Sequence, residues 1–215
     1  MSHVPVMTRE VVHYLLYEET RLVLDGTAGC GGHTRTILEA APRARVIGVD
    51  TDVRALRIAE RSLSQYGSRV RLVEGSYAKL SAVIGESEKL DGALLDFGVS
   101  SLQLDEPSRG FSYLRDGPLD MRMSATGPTA AEMIGRASEM DIAAALRSYG
   151  EVSGAGRLAR SIKQASADGR LVTTADLKRA VEAVVGGRSS PALLGKVFQA
   201  IRIALNGELD NIRNF

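Results

Sequence analysis

The sequence contains little cysteine and no long hydrophobic run. Its one cysteine, Cys30, excludes an internal disulfide and leaves any metal site without a second thiolate. Apolar stretches stay far below the roughly 20 residues that cross a bilayer, so the 215 residues predict a soluble protein of one domain, or of one domain with an insertion. Residues 1–9 lack a basic segment followed by an apolar one, so we expect no signal peptide and a cytoplasmic location.

Charge of either sign is nearly balanced, with a net charge of +1, but it is unevenly distributed. Residues 151–215 carry ten Lys or Arg against six Asp or Glu, whereas residues 1–150 have a net charge of −3. A basic second part beside an acidic first part suits a cofactor-binding core with an extension that faces nucleic acid. By charge alone, an ordinary solvated helix surface is the simpler explanation.

A glycine-rich turn follows the first apolar strand, where the chain reads LDGTAGCGGHT from Leu24 to Thr34. Residues without a Cβ allow a backbone to approach a ligand closely. A second acid, Asp50, ends the next apolar strand, where a βαβ unit hydrogen-bonds a ribose. The combination indicates a nucleoside cofactor, although an ordinary glycine-rich turn also arises by chance.

The charge at this turn distinguishes between cofactors. A dinucleotide fold would avoid the Asp25 carboxylate beside a pyrophosphate, and it would have a third glycine at the position of Thr34. S-adenosylmethionine carries an ammonium and a sulfonium, which a carboxylate favours. We therefore expect a methyltransferase with Asp25 near its cofactor, and a nicotinamide-dependent oxidoreductase is the weaker alternative.

Strands and helices alternate over the first hundred residues, which predicts an α/β fold with a doubly wound parallel sheet. The predicted strands are Arg21–Asp25, Arg45–Asp50, Val70–Val73 and Leu90–Asp96, and the predicted helices are His33–Ala41, Asp52–Tyr66 and Ala78–Ile84. Ligands of such sheets bind outside the carboxyl ends of the strands. Four side chains fall at or just beyond those ends: Asp25, Asp50, Tyr77 and Asp96.

The pattern changes after Asp96. Residues 98–126 show neither strand nor helix periodicity, and a stretch of that length is usually functional. Successive helices follow, and three of them have capping-box signatures. The boxes are Thr129 with Glu132, Ser138 with Asp141 and Thr173 with Asp176; two more helices are predicted at Arg157–Ala167 and from Pro191 to about Asn206.

Six segments, in order, resemble the ribosomal RNA small subunit methyltransferase H (MraW) family. They are HVPVM (His3–Met7), DGTAGCGGHT (Asp25–Thr34), DFGVSSLQLD (Asp96–Asp105), RGFSYLRDGPLDMRM (Arg109–Met123), YGE (Tyr149–Glu151) and FQAIRIALNGEL (Phe198–Leu209). The resemblance covers the whole chain. It implies a class I methyltransferase with a helical insertion, which transfers a methyl group from S-adenosylmethionine to N4 of a cytidine in the decoding region of 16S rRNA in the small ribosomal subunit.

The resemblance also assigns regions and cofactor contacts. It implies a cofactor-binding core over residues 1–105, a loop and helical insertion for RNA recognition over residues 106–195, and a helix returning to the core over residues 196–215. Gly31, Gly32 and His33 match contacts to the methionine part. Asp50 matches the ribose ligand, and Tyr77 stands where the family usually has a Phe against the adenine. Asp96 and Gln103 match the remaining contacts.

The expected catalytic residue and RNA contacts follow from the chemistry of the methyl acceptor, an aromatic amine. An aromatic amine is a weak nucleophile, and a carboxylate that accepts its N–H bonds assists attack on the methyl group, so Asp96 is also the expected catalytic residue. The cytosine must leave its stack to react. Arg109, Phe111, Tyr113 and Arg115 are the expected RNA contacts, with ordinary loop packing an alternative for the two aromatics.

Two other motifs are set aside. The sequence Asp96-Phe97-Gly98 occurs in kinases, but no His-Arg-Asp loop accompanies it. His33 and Cys30 could begin a metal site, but further ligands are missing nearby, so no metal is expected.

The family normally continues beyond residue 215 into further strands, so strand four is expected to form an open edge. The chain is then a fragment, one half completed by a second copy or a complementing chain, or a catalytically impaired RNA-binding relative of the enzyme. On each of these readings we expect the 215 residues alone to be poorly stable and to have little activity.

Overall fold

The computed structural model describes residues 5–85 and 88–215. These residues form two compact units. The sheet unit comprises the residues up to Ser100 together with Asp210–Phe215, and the helical unit comprises Ser101–Leu209.

The sheet unit confirms the predicted alternation of strands and helices. Its strands are β1 (Leu22–Asp25), β2 (Arg45–Asp50), β3 (Val70–Glu74) and β4 (Gly92–Leu94), and its helices before β3 are α1 (Thr8–Leu15), α2 (Gly32–Ala40) and α3 (Val53–Leu63). Within the described residues, the strands pair in parallel in the order β3-β2-β1-β4. β1 is central and buried along its whole length, as expected of a strand covered on both faces.

Apolar side chains on the two faces of β1 build two cores. Val23 packs with Ile37 of α2 and with Val46 on one face. Leu24 packs with Ile47 on the other face. Because burial fixes both faces, the register places the carboxyl ends of β1 and β2 side by side, with Asp25 opposite Gly48.

Three predicted elements differ from the structure. The helix predicted over Asp52–Tyr66 ends at Leu63 and continues as a 3₁₀ segment, Ser64–Arg69. The helix predicted over Ala78–Ile84 is instead a 3₁₀ segment, Tyr77–Ala82, which Lys79 interrupts with a non-helical backbone. The fourth strand is reduced from Leu90–Asp96 to Gly92–Leu94, the part that pairs with β1.

The remaining helices are α4 (Ser101–Asp105), α5 (Ala130–Arg136), α6 (Glu139–Gly150), α7 (Ala155–Ala167), α8 (Thr174–Val185), α9 (Pro191–Asn206) and α10 (Glu208–Arg213). All three predicted capping boxes form, at the N-termini of α5, α6 and α8. The stretch 98–126 is less irregular than predicted, because it contains α4 and a 3₁₀ turn, Pro107–Arg109. Among the described residues, no helix is long and apolar enough to cross a membrane.

Candidate functional site

Asp25 lies beneath the glycine-rich turn rather than at its surface. The carboxylate is completely buried. Its Oδ2 accepts a hydrogen bond from Thr34 Oγ1 at 2.7 Å, and its Oδ1 accepts one from the Thr27 N–H at 3.3 Å. Burial raises the pKa of Asp25. A side chain without exposed surface cannot touch a ligand, so this geometry assigns Asp25 to holding the turn, where the sequence predicted a cofactor contact.

The glycines of the turn have different roles. A Cβ on Gly31 would lie 2.7 Å from Leu63 Cδ1, and one on Gly32 would lie 2.6 Å from Pro5 Cγ, so a side chain at either position would displace its neighbour. Gly29 has a left-handed backbone (φ 52°), and the nearest atom to its Cβ position is the Thr27 carbonyl oxygen at 3.9 Å. Of these three glycines, Gly29 is the one with an open Cβ position.

Asp50 is joined to this open point of the turn. Its Oδ2 accepts the Gly29 N–H at 2.7 Å, and its Oδ1 accepts the Asp52 N–H at 2.8 Å. Burial raises the pKa of Asp50. The Thr51 N–H also hydrogen-bonds this carboxylate. Because a carboxylate has about four acceptor sites, Asp50 can still accept a further hydrogen bond, which a ribose hydroxyl could donate.

His33 and Asp96 meet at the other side of the turn. His33 is buried, and its Nε2 lies 2.8 Å from the Val6 carbonyl oxygen. Since a carbonyl oxygen only accepts, Nε2 carries the hydrogen, and Nδ1 faces Asp96 Oδ2 at 3.9 Å. The Asp96 side chain is 48% exposed, while its backbone N–H donates to Thr27 Oγ1. Asp96 is thus an accessible carboxylate on a fixed backbone.

Aromatic rings gather near the carboxyl ends of β3 and β4. Tyr77 contacts Phe97 edge-on, with ring centroids 5.8 Å apart, and contacts Phe215 at 6.2 Å. Phe97 is 48% exposed. The sequence predicts Tyr77 at this place but not Phe97, which belongs to the Asp96-Phe97-Gly98 motif set aside above. The signal that could have identified Phe97 is an aromatic residue directly after a strand-end carboxylate.

In the helical unit, the burial of Phe111 contradicts its predicted role as an RNA contact. Its side chain is only 6% exposed, and the Arg109 guanidinium carbon lies 5.8 Å from its ring centroid. The Arg109 Nη2 also donates to the carbonyl oxygens of Arg122 and Met123. A ring buried in this way cannot stack on a base, so the packing alternative holds for Phe111.

The other predicted contacts in this unit are more accessible. Tyr113 is half-buried and packs edge-on against Phe198, with ring centroids 5.7 Å apart. Arg115 is exposed, and its Nη1 donates to the Asp105 carbonyl oxygen at 2.9 Å. Gln103, a predicted cofactor contact, is buried in α4.

Comparison with curated proteins finds close relatives. A protein of Sorangium cellulosum named ribosomal RNA small subunit methyltransferase H is 49% identical, over 98% of this chain and 68% of that protein. A protein of the same name from Methylobacterium nodulans is 43% identical, over 98% of this chain and 64% of that protein. The chain therefore spans about two thirds of the length of these relatives.

A solved rRNA methylase from Streptococcus thermophilus gives a TM-score of only 0.35 at 21% identity, over 51% of this chain and 60% of that one, which is too low to bear on the fold. The family profile is decisive, because the MraW methylase family matches residues 1–215. The parallel α/β sheet described above is the class I methyltransferase fold of that family. The chain belongs to the MraW methylase family.

Proposed function

We propose that this chain carries the cofactor-binding part of an S-adenosylmethionine-dependent enzyme that methylates N4 of a cytidine in the decoding region of small-subunit rRNA. The observation that carries the proposal is the hydrogen bond between Asp50 and the Gly29 N–H. It joins a carboxylate with spare acceptor capacity to the open point of the turn. The names of the relatives support the rRNA substrate.

The residues at the strand ends fit this cofactor. Asp50 keeps acceptor capacity for a ribose hydroxyl beside its backbone hydrogen bonds. Tyr77 and Phe97 offer aromatic surface for the adenine. The exposed Asp96 carboxylate provides negative charge for a cationic ligand. When bound, S-adenosylmethionine would supply an electrophilic methyl group.

Asp96 also fits the chemistry of the methyl acceptor, which is the exocyclic amine of cytosine. The exocyclic amine of cytosine is weakly nucleophilic because its lone pair is delocalised into the ring. A carboxylate that accepts an N–H bond of that amine orients it and can take the proton that nitrogen loses on methylation. His33, held by the Val6 carbonyl, lies behind Asp96 and limits its positions.

Calorimetry with purified protein tests the cofactor assignment. Asp50→Asn removes a charged acceptor, and we expect it to weaken S-adenosylmethionine binding by about 1–3 kcal/mol. Asp210→Asn, at an exposed carboxylate paired with Arg213, is the matched control and should bind like the wild type. Unchanged affinity in Asp50→Asn, or preferential binding of a nicotinamide dinucleotide, would overturn the assignment.

Nucleoside analysis of cellular rRNA tests the reaction. Cells without the gene should lack N4-methylcytidine in small-subunit rRNA, and the wild-type gene should restore it. Asp96→Asn should restore much less, because an amide cannot take the proton. An unchanged N4-methylcytidine level in cells without the gene would reject the proposed activity.

A further inference from the structure

A groove between α7 and α8 is built from residues that the site described above does not use. It has a volume of about 660 Å³ and belongs entirely to the helical unit. Four of the ten Lys and Arg side chains of residues 151–215 line it, and we call it the arginine groove: Arg157, Arg160, Arg170 and Arg179. The fold thus gathers in one place a large share of the basic charge that distinguishes residues 151–215.

Three elements contribute these cations. Arg157 and Arg160 lie on α7, and because they are three residues apart they share one face of that helix. Arg170 lies on the connection between α7 and α8, and Arg179 lies on α8. All four side chains are exposed. The charge of one solvated helix face does not account for cations from three elements that line one groove.

Most of the remaining lining consists of small side chains. Ser161 Oγ donates to the Ala180 carbonyl oxygen at 2.7 Å, which holds α7 against α8. Ala165 and Ala183 also line the groove, and Val172 is the largest apolar side chain among the described residues that do. Protein interfaces are commonly anchored by aromatic side chains, and none belongs to this lining. The lining therefore favours a charged backbone over a protein surface as the ligand.

The one carboxylate that lines the groove already has its own partners. Asp176 accepts the N–H groups of Val172 and Thr173, at 2.9 and 2.7 Å, as part of the cap of α8. It also pairs with Arg179. Because the negative charge of Asp176 is compensated by these donors, its repulsion of an anion in the groove is limited.

The arginines keep donors available for an anion. Arg160 Nε pairs with Glu139 at 3.3 Å, and Arg170 Nη2 pairs with Asp168. Each ion pair engages one nitrogen of its guanidinium, and exposed pairs of this kind are weak. Arg157 forms no ion pair in the part of the chain that the structure describes, so four guanidinium groups against three carboxylates leave a net charge of +1. The remaining N–H groups suit phosphate oxygens, which a guanidinium binds in pairs.

We propose that the arginine groove binds the phosphate backbone of the rRNA substrate. The inference rests on the proposed function, which supplies a ribose-phosphate chain as the partner. Contacts to phosphate fix the position of a nucleic acid and do not read its bases. The groove accordingly adds affinity for rRNA without adding sequence specificity, and each phosphate that it binds makes the affinity more sensitive to salt.

Arg157→Gln/Arg160→Gln tests the groove, and Arg147→Gln/Arg213→Gln is the matched control. Each double variant removes two exposed cations, one without an ion pair among the described residues and one paired, as Arg213 is with Asp210. Fluorescence anisotropy with a labelled small-subunit rRNA fragment measures affinity at several salt concentrations. We expect the groove variant to bind about tenfold more weakly and to lose about 1.4 from the slope of log K against log salt, for two single-strand phosphate contacts. The control should bind like the wild type.

Two further comparisons identify what the groove recognises. Arg157→Lys/Arg160→Lys keeps the charge but not the planar guanidinium, so it should recover the salt dependence and only part of the affinity. A fragment of scrambled sequence should be affected by the Gln variant as strongly as the natural one, because the contacts are to phosphate. The melting temperature and the S-adenosylmethionine affinity should not change in any variant, since the altered side chains are exposed.

Wild-type affinity and salt dependence in the groove variant would overturn the proposal, as would a wild-type chain that does not bind the fragment. An equal loss in the control would show that net charge alone matters, and a loss confined to the natural sequence would indicate base contacts; either result contradicts the groove. If the groove variant binds RNA normally but no longer binds polyglutamate, the groove takes an acidic protein segment instead.

Anisotropy does not require methyl transfer, so this proposal and the proposed function fail separately. Protein that binds the fragment through the groove yet forms no N4-methylcytidine would reject the proposed function and support the groove. An active methyltransferase whose groove variant binds RNA unchanged would reject the groove alone.

Discussion

At Gly31 a single methyl group would reach the side chain of Leu63, so one missing Cβ determines how α3 packs on the glycine-rich turn. The residue also has a left-handed backbone (φ 87°). Two costs therefore add in Gly31→Ala: backbone strain and a steric clash.

Gly186→Ala separates these costs, because Gly186 is also left-handed (φ 72°, ψ 30°) but nothing lies within 4 Å of its Cβ position. We expect Gly186→Ala to lower the free energy of unfolding by about 1 kcal/mol. Gly31→Ala should cost roughly 1–3 kcal/mol more. Urea titration measures both, and equal costs would show that Leu63 moves aside freely.

The buried carboxylate of Asp25 makes stability depend on pH. Burial raises its pKa in the folded state above the value in the unfolded chain. Its contribution to stability is therefore fully present below the unfolded pKa of about 3.9 and is lost as the pH rises through the folded pKa. Asp25→Asn removes this titration.

Relative to Asp25→Asn, the wild type should accordingly lose free energy of unfolding as the pH rises from about 4 toward the folded-state pKa of Asp25. Asp50, whose pKa is also raised, is present in both proteins, and its charge adds to the rise in the pKa of Asp25 in the wild type. Chemical denaturation at each pH gives the values. Parallel pH profiles would mean that Asp25 is as well solvated in the folded state as in the unfolded one.

Sequence predicted the positions of the site residues better than their roles. Asp50 and Asp96 lie at strand ends because parallel strands separated by helices bring those ends together. The burial of a side chain, however, cannot be predicted from the local sequence pattern. Asp25 and Phe111 were assigned to ligands but are enclosed by Thr34 and Arg109, whose contacts depend on the folded chain.

At the scale of elements, the accurate predictions are those that rest on short sequence motifs such as helix caps. The helices α6 and α8 begin at their predicted capping boxes because a cap is complete within four residues. The extent of β4 was wrong, since three residues pair with β1 and pairing depends on a distant partner.

Ser138 tests the strength of one such cap. Its Oγ accepts the Asp141 N–H at 3.1 Å, and Asp141 accepts the Ser138 N–H in return. We expect Ser138→Ala to destabilise the protein by about 1 kcal/mol. Ser153→Ala, at an exposed position before α7, should have almost no effect. A thermal melt of each variant gives the comparison, and similar midpoints would mean that α6 starts without its cap.

At the scale of the whole molecule, β4 forms one edge of the described sheet. Exposed backbone groups on an edge strand can pair with a second chain, and a lysine on the edge prevents such pairing. Ala93, the middle residue of β4, is exposed.

We therefore expect this 215-residue chain to self-associate, and Ala93→Lys to increase the monomer fraction in sedimentation velocity. Ala40→Lys adds the same charge at an exposed position at the end of α2. If both variants increase the monomer fraction equally, net charge rather than the edge controls association.

The amide of Asn206 holds the loop at Met121 and Met123 from a position far along the chain. Its Nδ2 donates to the Met121 carbonyl oxygen, and its Oδ1 accepts the Met123 N–H, across 85 and 83 residues of chain. Met121 is fully buried with a left-handed backbone (φ 57°), a conformation that needs such support. The backbone conformation at Met121 therefore depends on α9, at a sequence separation for which contacts are slow to form, rather than on its own neighbours in the chain.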